Sequence, residues 1–114
     1  MDLKNINVIC CEYNHLLGNN SKKAIPYNPE HKFKNDGYFG ASLLAIHDLL
    51  VSKDFCLVAV ESSGSNAFFV KKKFSEHFEI LSPIKSWRPG GRFDTETDKK
   101  RIKQNVKNSQ FIEI

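Results

Sequence analysis

Hydrophobic positions along the chain fall into short runs with two different periods. Residues 5–13, NINVICCEY, put Ile6, Val8 and Cys10 on one face of an extended strand and Ile9 and Cys11 on the other. A strand apolar on both faces belongs at the centre of its sheet. Residues 38–52, YFGASLLAIHDLLVS, repeat Phe39, Leu43, Ile46 and Leu50 at i, i+4, i+7 and i+11, and Leu44 and Val51 widen the stripe. That spacing predicts a largely buried helix, with Asn35 or Asp36 as its cap.

A continuous apolar run, DFCLVAVE at 54–61, is followed by the turn cluster SSGSN and then by AFFVKKKF at 67–74. Two such runs separated by small turn residues predict a hairpin. HFEILS at 77–82 alternates through Phe78 and Ile80 and predicts a third strand of a meander, ended by Pro83. Residues 94–107, DTETDKKRIKQNVK, predict a surface helix. Thr95 and Asp98 have capping-box spacing, acids precede bases, and the apolar stripe is only Ile102 and Val106. FIEI closes the chain as a short strand.

Between the first strand and the first helix, residues 14–37 show no sustained period. Gly18-Asn19-Asn20-Ser21, Pro26, Pro29 and Asp36-Gly37 are turn formers, so a long irregular loop is expected there. The predicted order is β-α-β-β-β-α-β. It describes an α+β single domain over 1–114, with a mainly antiparallel four- to five-stranded sheet, one buried helix at about 38–52 and one surface helix at about 94–107.

Composition is that of an ordinary globular chain, 40% hydrophobic and 26% charged, with enough length to bury a core unaided. No apolar run approaches a membrane span, and Met1 to Tyr13 lacks the features of a secretory leader, so a cytoplasmic protein without membrane contact is expected. Three cysteines, two of them adjacent, make no disulfide framework and agree with a reducing compartment.

The net charge of +4 is unevenly spread. Residues 71–114 hold 11 basic against 6 acidic residues, a surplus of five, while residues 38–70 hold one against three. Fourteen of the 17 basic residues are lysine, a solvated point charge rather than the planar fork of arginine.

Catalytic patterns are weak. Cys10, Cys11, His15, Cys56 and His77 lack the paired spacing of a zinc site. Ser42 and His77 lack a nucleophile elbow. No cofactor, metal or catalytic residue is assigned. The stretch SWRPGGRFDTETDKKR at 86–101 holds the sole tryptophan and all three arginines. A phosphate cradle is disfavoured there because Asp94, Glu96 and Asp98 crowd the helix start. Pro89 and Gly90 suit a type II turn.

The expected function is a small non-enzymatic interaction protein that binds a protein partner of the inhibitor, immunity or accessory type. Trp87, Arg88, Arg92, Tyr27 and Phe33 are the contact residues, since Trp and Arg are enriched at binding hot spots. The alternative is a nucleic-acid-binding protein that uses Lys22, Lys23, Lys32, Lys34, Arg88, Arg92, Lys99 and Lys100 interleaved with aromatics. A metal-independent ribonuclease drawing on the scattered histidines ranks behind it.

Overall fold

The computed structural model describes residues 2–32, 37–90 and 96–114, with side chains from residue 100 onward in the last segment. Its elements are β1 (Val8–Glu12), β2 (Lys23–Ala24), α1 (Leu43–Ser52), β3 (Phe55–Val60), β4 (Asn66–Lys71), α2 (Pro83–Ser86), α3 (Glu96–Asn108) and β5 (Ile112–Glu113). Two 3-10 turns, His15–Leu17 and Lys72–His77, follow β1 and β4. The domain is α+β with antiparallel pairing throughout. Its strands divide into a three-stranded sheet, β1-β4-β3, and a two-stranded sheet, β2-β5, rather than one sheet of four or five.

Two expectations fail for one topological reason. The hairpin β3–β4 forms as predicted, but β1 pairs with the other side of β4, Val8 opposite Val70 through Glu12 opposite Asn66. β4 is therefore the central strand and β1 an edge. With both sides of β4 taken, the following segment cannot add to β4 as the third strand of a meander. Lys72–His77 coils into a 3-10 turn, and residues 78–82 pass the β3 edge with a single bond, the Leu81 N–H donating to the Leu57 carbonyl at 2.9 Å. Phe78 and Ile80 remain exposed, and Leu81 is the residue that packs against the core.

The core lies between one face of the large sheet and α1. Tyr13, Leu43, Leu50, Phe55, Leu57, Ala67 and Phe69 form it. α1 begins at Leu43, not at 38, because Gly40 takes φ +56° and Ala41 bridges to Ala24, which keeps the approach extended. The cap is Ser42, fully buried, whose Oγ accepts the Ala45 N–H at 3.3 Å and the Lys23 N–H at 3.1 Å. The caps expected at Asn35 and Asp36, and the Thr95 half of the capping box, lie outside the described residues.

The stretch expected to be an irregular loop is stitched down along much of its length. β2 lies within it and pairs with β5. Fully buried Asn14 ties the loop's two ends together. Its Nδ2 donates to the carbonyls of Gly37 (2.9 Å) and Phe39 (3.0 Å), and its Oδ1 accepts the Leu16 N–H (3.0 Å). Ile102 of α3, 1% exposed, seals a second small apolar cluster with Leu16 and Val106 around Gly37.

Lys22, just before β2, pairs with Asp48 of α1. The hydrogen bond from Lys22, then that from His47, holds the Asp48 carboxyl below the usual carboxylate range. A depressed folded value means the link is intact above that range and is lost as pH falls through the folded value. The thermal midpoint should therefore fall on acidification. The Asp48→Asn variant should lack this part of the acid limb when midpoints are measured against pH.

Candidate functional site

The two edges of the large sheet are built differently. The β3 edge carries a bulge between Leu57 and Ala59, and Leu81 occupies the Leu57 carbonyl. Bulges and covering segments are the usual means of closing an edge to further strands. β1, VICCE, runs against β4 without a register shift and contains neither lysine nor proline.

The ladder fixes which backbone groups β1 presents outward. The Lys71 N–H donates to the Asn7 carbonyl (2.8 Å) and the Tyr13 N–H to the Ser65 carbonyl (3.0 Å). In an antiparallel pair the bonded positions alternate. Asn7, Ile9, Cys11 and Tyr13 therefore face β4, and the N–H and C=O groups of Val8, Cys10 and Glu12 point away from it. Among the described residues, no partner takes the outward groups of Val8 or Cys10.

The side chains of the same residues lie on the sheet face opposite α1. Val8 is 63% exposed and Cys10 is exposed, beside half-buried Phe68 and buried Val70 and Cys56. A cavity of about 340 Å³ opens there, lined by Asn7, Val8, Val70, Phe74, His77 and Phe78. The apolarity that suggested a central strand instead makes an apolar edge. Burial pushes the thiols of Cys11 and Cys56 up, so both stay protonated.

Trp87 is half-buried and packs against the core, and its Nε1 is buried with no acceptor among the described residues. Arg88 is exposed, but its backbone is clamped. The Tyr13 Oη accepts the Arg88 N–H (3.2 Å) and donates to the Arg88 carbonyl (2.9 Å). Burial pushes the Tyr13 phenol up and keeps that donor protonated. Gly64 and the His15 ring close on Pro89 and Gly90 so tightly that a Cβ on Gly64 would fall 2.5 Å from the Pro89 carbonyl, and one on Gly90 2.4 Å from the imidazole. Gly90 does not take the positive φ that a type II turn requires at that position, so the turn expected there does not form.

The remaining predicted contact residues are dispersed. Tyr27 is 93% exposed on the loop, and Lys32 is exposed nearby. Lys22 is engaged with Asp48, whereas Lys23 lines a cavity that Lys107 also lines, and Lys100 is exposed on α3. Phe33, Lys34, Arg92 and the Lys99 side chain lie outside the described residues.

Sequence reasoning missed the edge at Val8 and Cys10, the hub at Asn14, and Lys103, Lys107 and Phe111. The three positions Lys100, Lys103 and Lys107 share one helical face, a spacing legible in the sequence. Among the described residues, no three His, Cys, Asp or Glu side chains converge as a metal site would require, and no helix is long and apolar enough to cross a membrane. No protein-family model, no curated protein and no solved structure matches the chain, so its functional reading rests on its own geometry.

Proposed function

We propose that the protein is a non-enzymatic binding module that captures an extended segment of a partner protein as a fourth strand alongside β1. The observation that carries this reading is the contrast between the two sheet edges, β3 closed by a bulge and by Leu81, β1 open at Val8 and Cys10. In strand addition, main-chain hydrogen bonds supply affinity and side-chain pockets supply selectivity. The apolar cavity between Val8 and Phe78 adjoins this edge and suits an aliphatic or aromatic side chain of the incoming strand. Tyr27, Trp87 and Arg88 remain contact residues of this proposal only where a partner extends beyond the strand.

The register supplies a clean test. Proline at position 10 removes an N–H that points away from β4, so the ladder survives while the docking edge loses a donor. Proline at position 9 removes an N–H that β4 uses, and should unfold the edge. Cys10→Pro and Val8→Lys should keep the thermal midpoint within a few degrees and lose peptides selected from a displayed random-peptide library by the unaltered protein. Peptides retained equally by all three proteins would contradict the reading. A concentration-dependent dimer dissolved by Cys10→Pro would replace the separate partner with a second copy of this chain.

A further inference from the structure

The exposed face of α3 carries Lys100, Lys103 and Lys107 at i, i+3 and i+7. Two cavities lie along it on either side of Leu16. One, about 380 Å³, is lined by His15, Trp87, Pro89, Gly90 and Lys103. The other, about 300 Å³, is lined by Leu17, Lys23, Lys107, Ser109 and Phe111. Each pairs an aromatic wall with lysine, and among the described residues no carboxylate lines either. Glu113, opposite Lys23 across the β2–β5 pair, is an acid near the second. Both volumes lie in the range of small-ligand pockets, roughly 300 Å³ and upward.

The first cavity has a fixed wall. Trp87 packs against the core, and the clamp on Arg88 and the close approach of Gly64 hold the segment that carries it. Lys103 and Lys107 are one helical turn apart, so cations recur along the groove at the step from one cavity to the next.

We infer that this groove binds a single-stranded nucleic acid, with one base against Trp87, the next toward Phe111, and the intervening phosphates along Lys103 and Lys107. Aromatic walls accept any base face while cations follow the backbone, which gives binding with little sequence preference. Inorganic polyanions would use the lysines but not the aromatics. A duplex keeps its bases stacked and paired, away from both cavities. The inference rests on α3 and its cavities alone and does not depend on the β1 edge.

Trp87 is the sole tryptophan, so its fluorescence reports on the first cavity directly. Titration of the full chain with a short oligodeoxythymidylate should quench it saturably at low salt and progressively less as salt rises. Lys103→Glu with Lys107→Glu should weaken binding at least about tenfold. It should also flatten the dependence of log affinity on log salt by about 1.4, at about 0.7 for each single-strand phosphate contact. The same pair changed to glutamine should shift affinity in the same direction by less, and Cys10→Pro should leave it unchanged. Four results would overturn the inference: no quenching at low salt, quenching indifferent to the lysine changes, equal quenching by inorganic polyphosphate, or a mononucleotide that binds as tightly as the oligomer.

Discussion

Alanine at Asn14 is expected to destabilise the protein by about 3 kcal/mol, near 12 °C in thermal midpoint for a chain of this size. Asn14 is fully buried, and its side chain makes three hydrogen bonds to backbone groups, two to the distant segment at Gly37 and Phe39 and one to nearby Leu16. Truncation removes the donor to the Gly37 and Phe39 carbonyls and the acceptor of the Leu16 N–H together, and a buried polar group left unsatisfied costs about 1–3 kcal/mol. The hub also fixes the ends of a loop that carries β2, so its loss should loosen the β2–β5 pair more than the large sheet. Aspartate is the discriminating substitution. It keeps the shape and the acceptor for Leu16 but sets a carboxylate against two carbonyl oxygens, so it should be at least as damaging as alanine. Thermal melts of the two variants check this. An aspartate variant close to the unaltered protein would mean that the shape of the side chain matters and its hydrogen bonds do not.

Gly64→Ala is expected to cost a similar amount, about 3 kcal/mol, for a different reason. Gly64 has φ +75°, where an alanine is strained by about 1–3 kcal/mol. A Cβ there would also meet the Pro89 carbonyl carbon and oxygen at 2.5 Å and the Gly90 nitrogen at 2.6 Å. These are backbone atoms that cannot rotate aside, and overpacking of this kind adds about 1–3 kcal/mol. Gly18 provides the control. Its φ is +76°, yet nothing lies within 4 Å of its Cβ position, so Gly18→Ala should show the conformational part alone. Gly18 also has ψ −173°, a region essentially confined to glycine, so its cost is conformational and is not expected to be smaller than the conformational part at Gly64. Because the displaced segment carries Trp87, Gly64→Ala should also shift the tryptophan emission.

Local pattern read well where one element settles its own structure. The i, i+4, i+7, i+11 stripe located α1, the turn cluster at 62–66 located the β3–β4 hairpin, and the order of acids before bases located α3. What pattern could not supply was the choice of neighbours. Ile9 and Cys11 face the core, whereas Val8 and Cys10 face solvent, and a strand apolar on both faces reads the same whether the second face meets a layer or stands open. Once β1 takes the free side of β4, the alternation of Phe78 and Ile80 cannot serve as a strand added to β4. β2 is two residues long and forms only because β5, nearly ninety positions later, lies alongside it. No local period could announce such a pair. The same holds for Asn14, a lone asparagine in sequence whose partners lie 23 and 25 residues away. In the Trp-Arg stretch the helix α3 was legible, but the turn expected at Pro89 and Gly90 was not what formed, and the clamp by Tyr13, His15 and Gly64 could not be read.

The proposed role depends on a β1 edge that is open in the free protein, and amide hydrogen exchange reads this residue by residue. The N–H groups of Ile9 and Cys11 lie in the ladder with β4, whereas those of Val8 and Cys10 point outward. In the isolated monomer, Val8 and Cys10 should exchange faster than Ile9 and Cys11 by on the order of a hundredfold, because the outward pair exchanges without opening the sheet. A bound peptide strand should slow Val8 and Cys10 and leave Ile9 and Cys11 as they were. Equal, slow exchange at all four amides of the free monomer would show the edge already covered and would contradict the account.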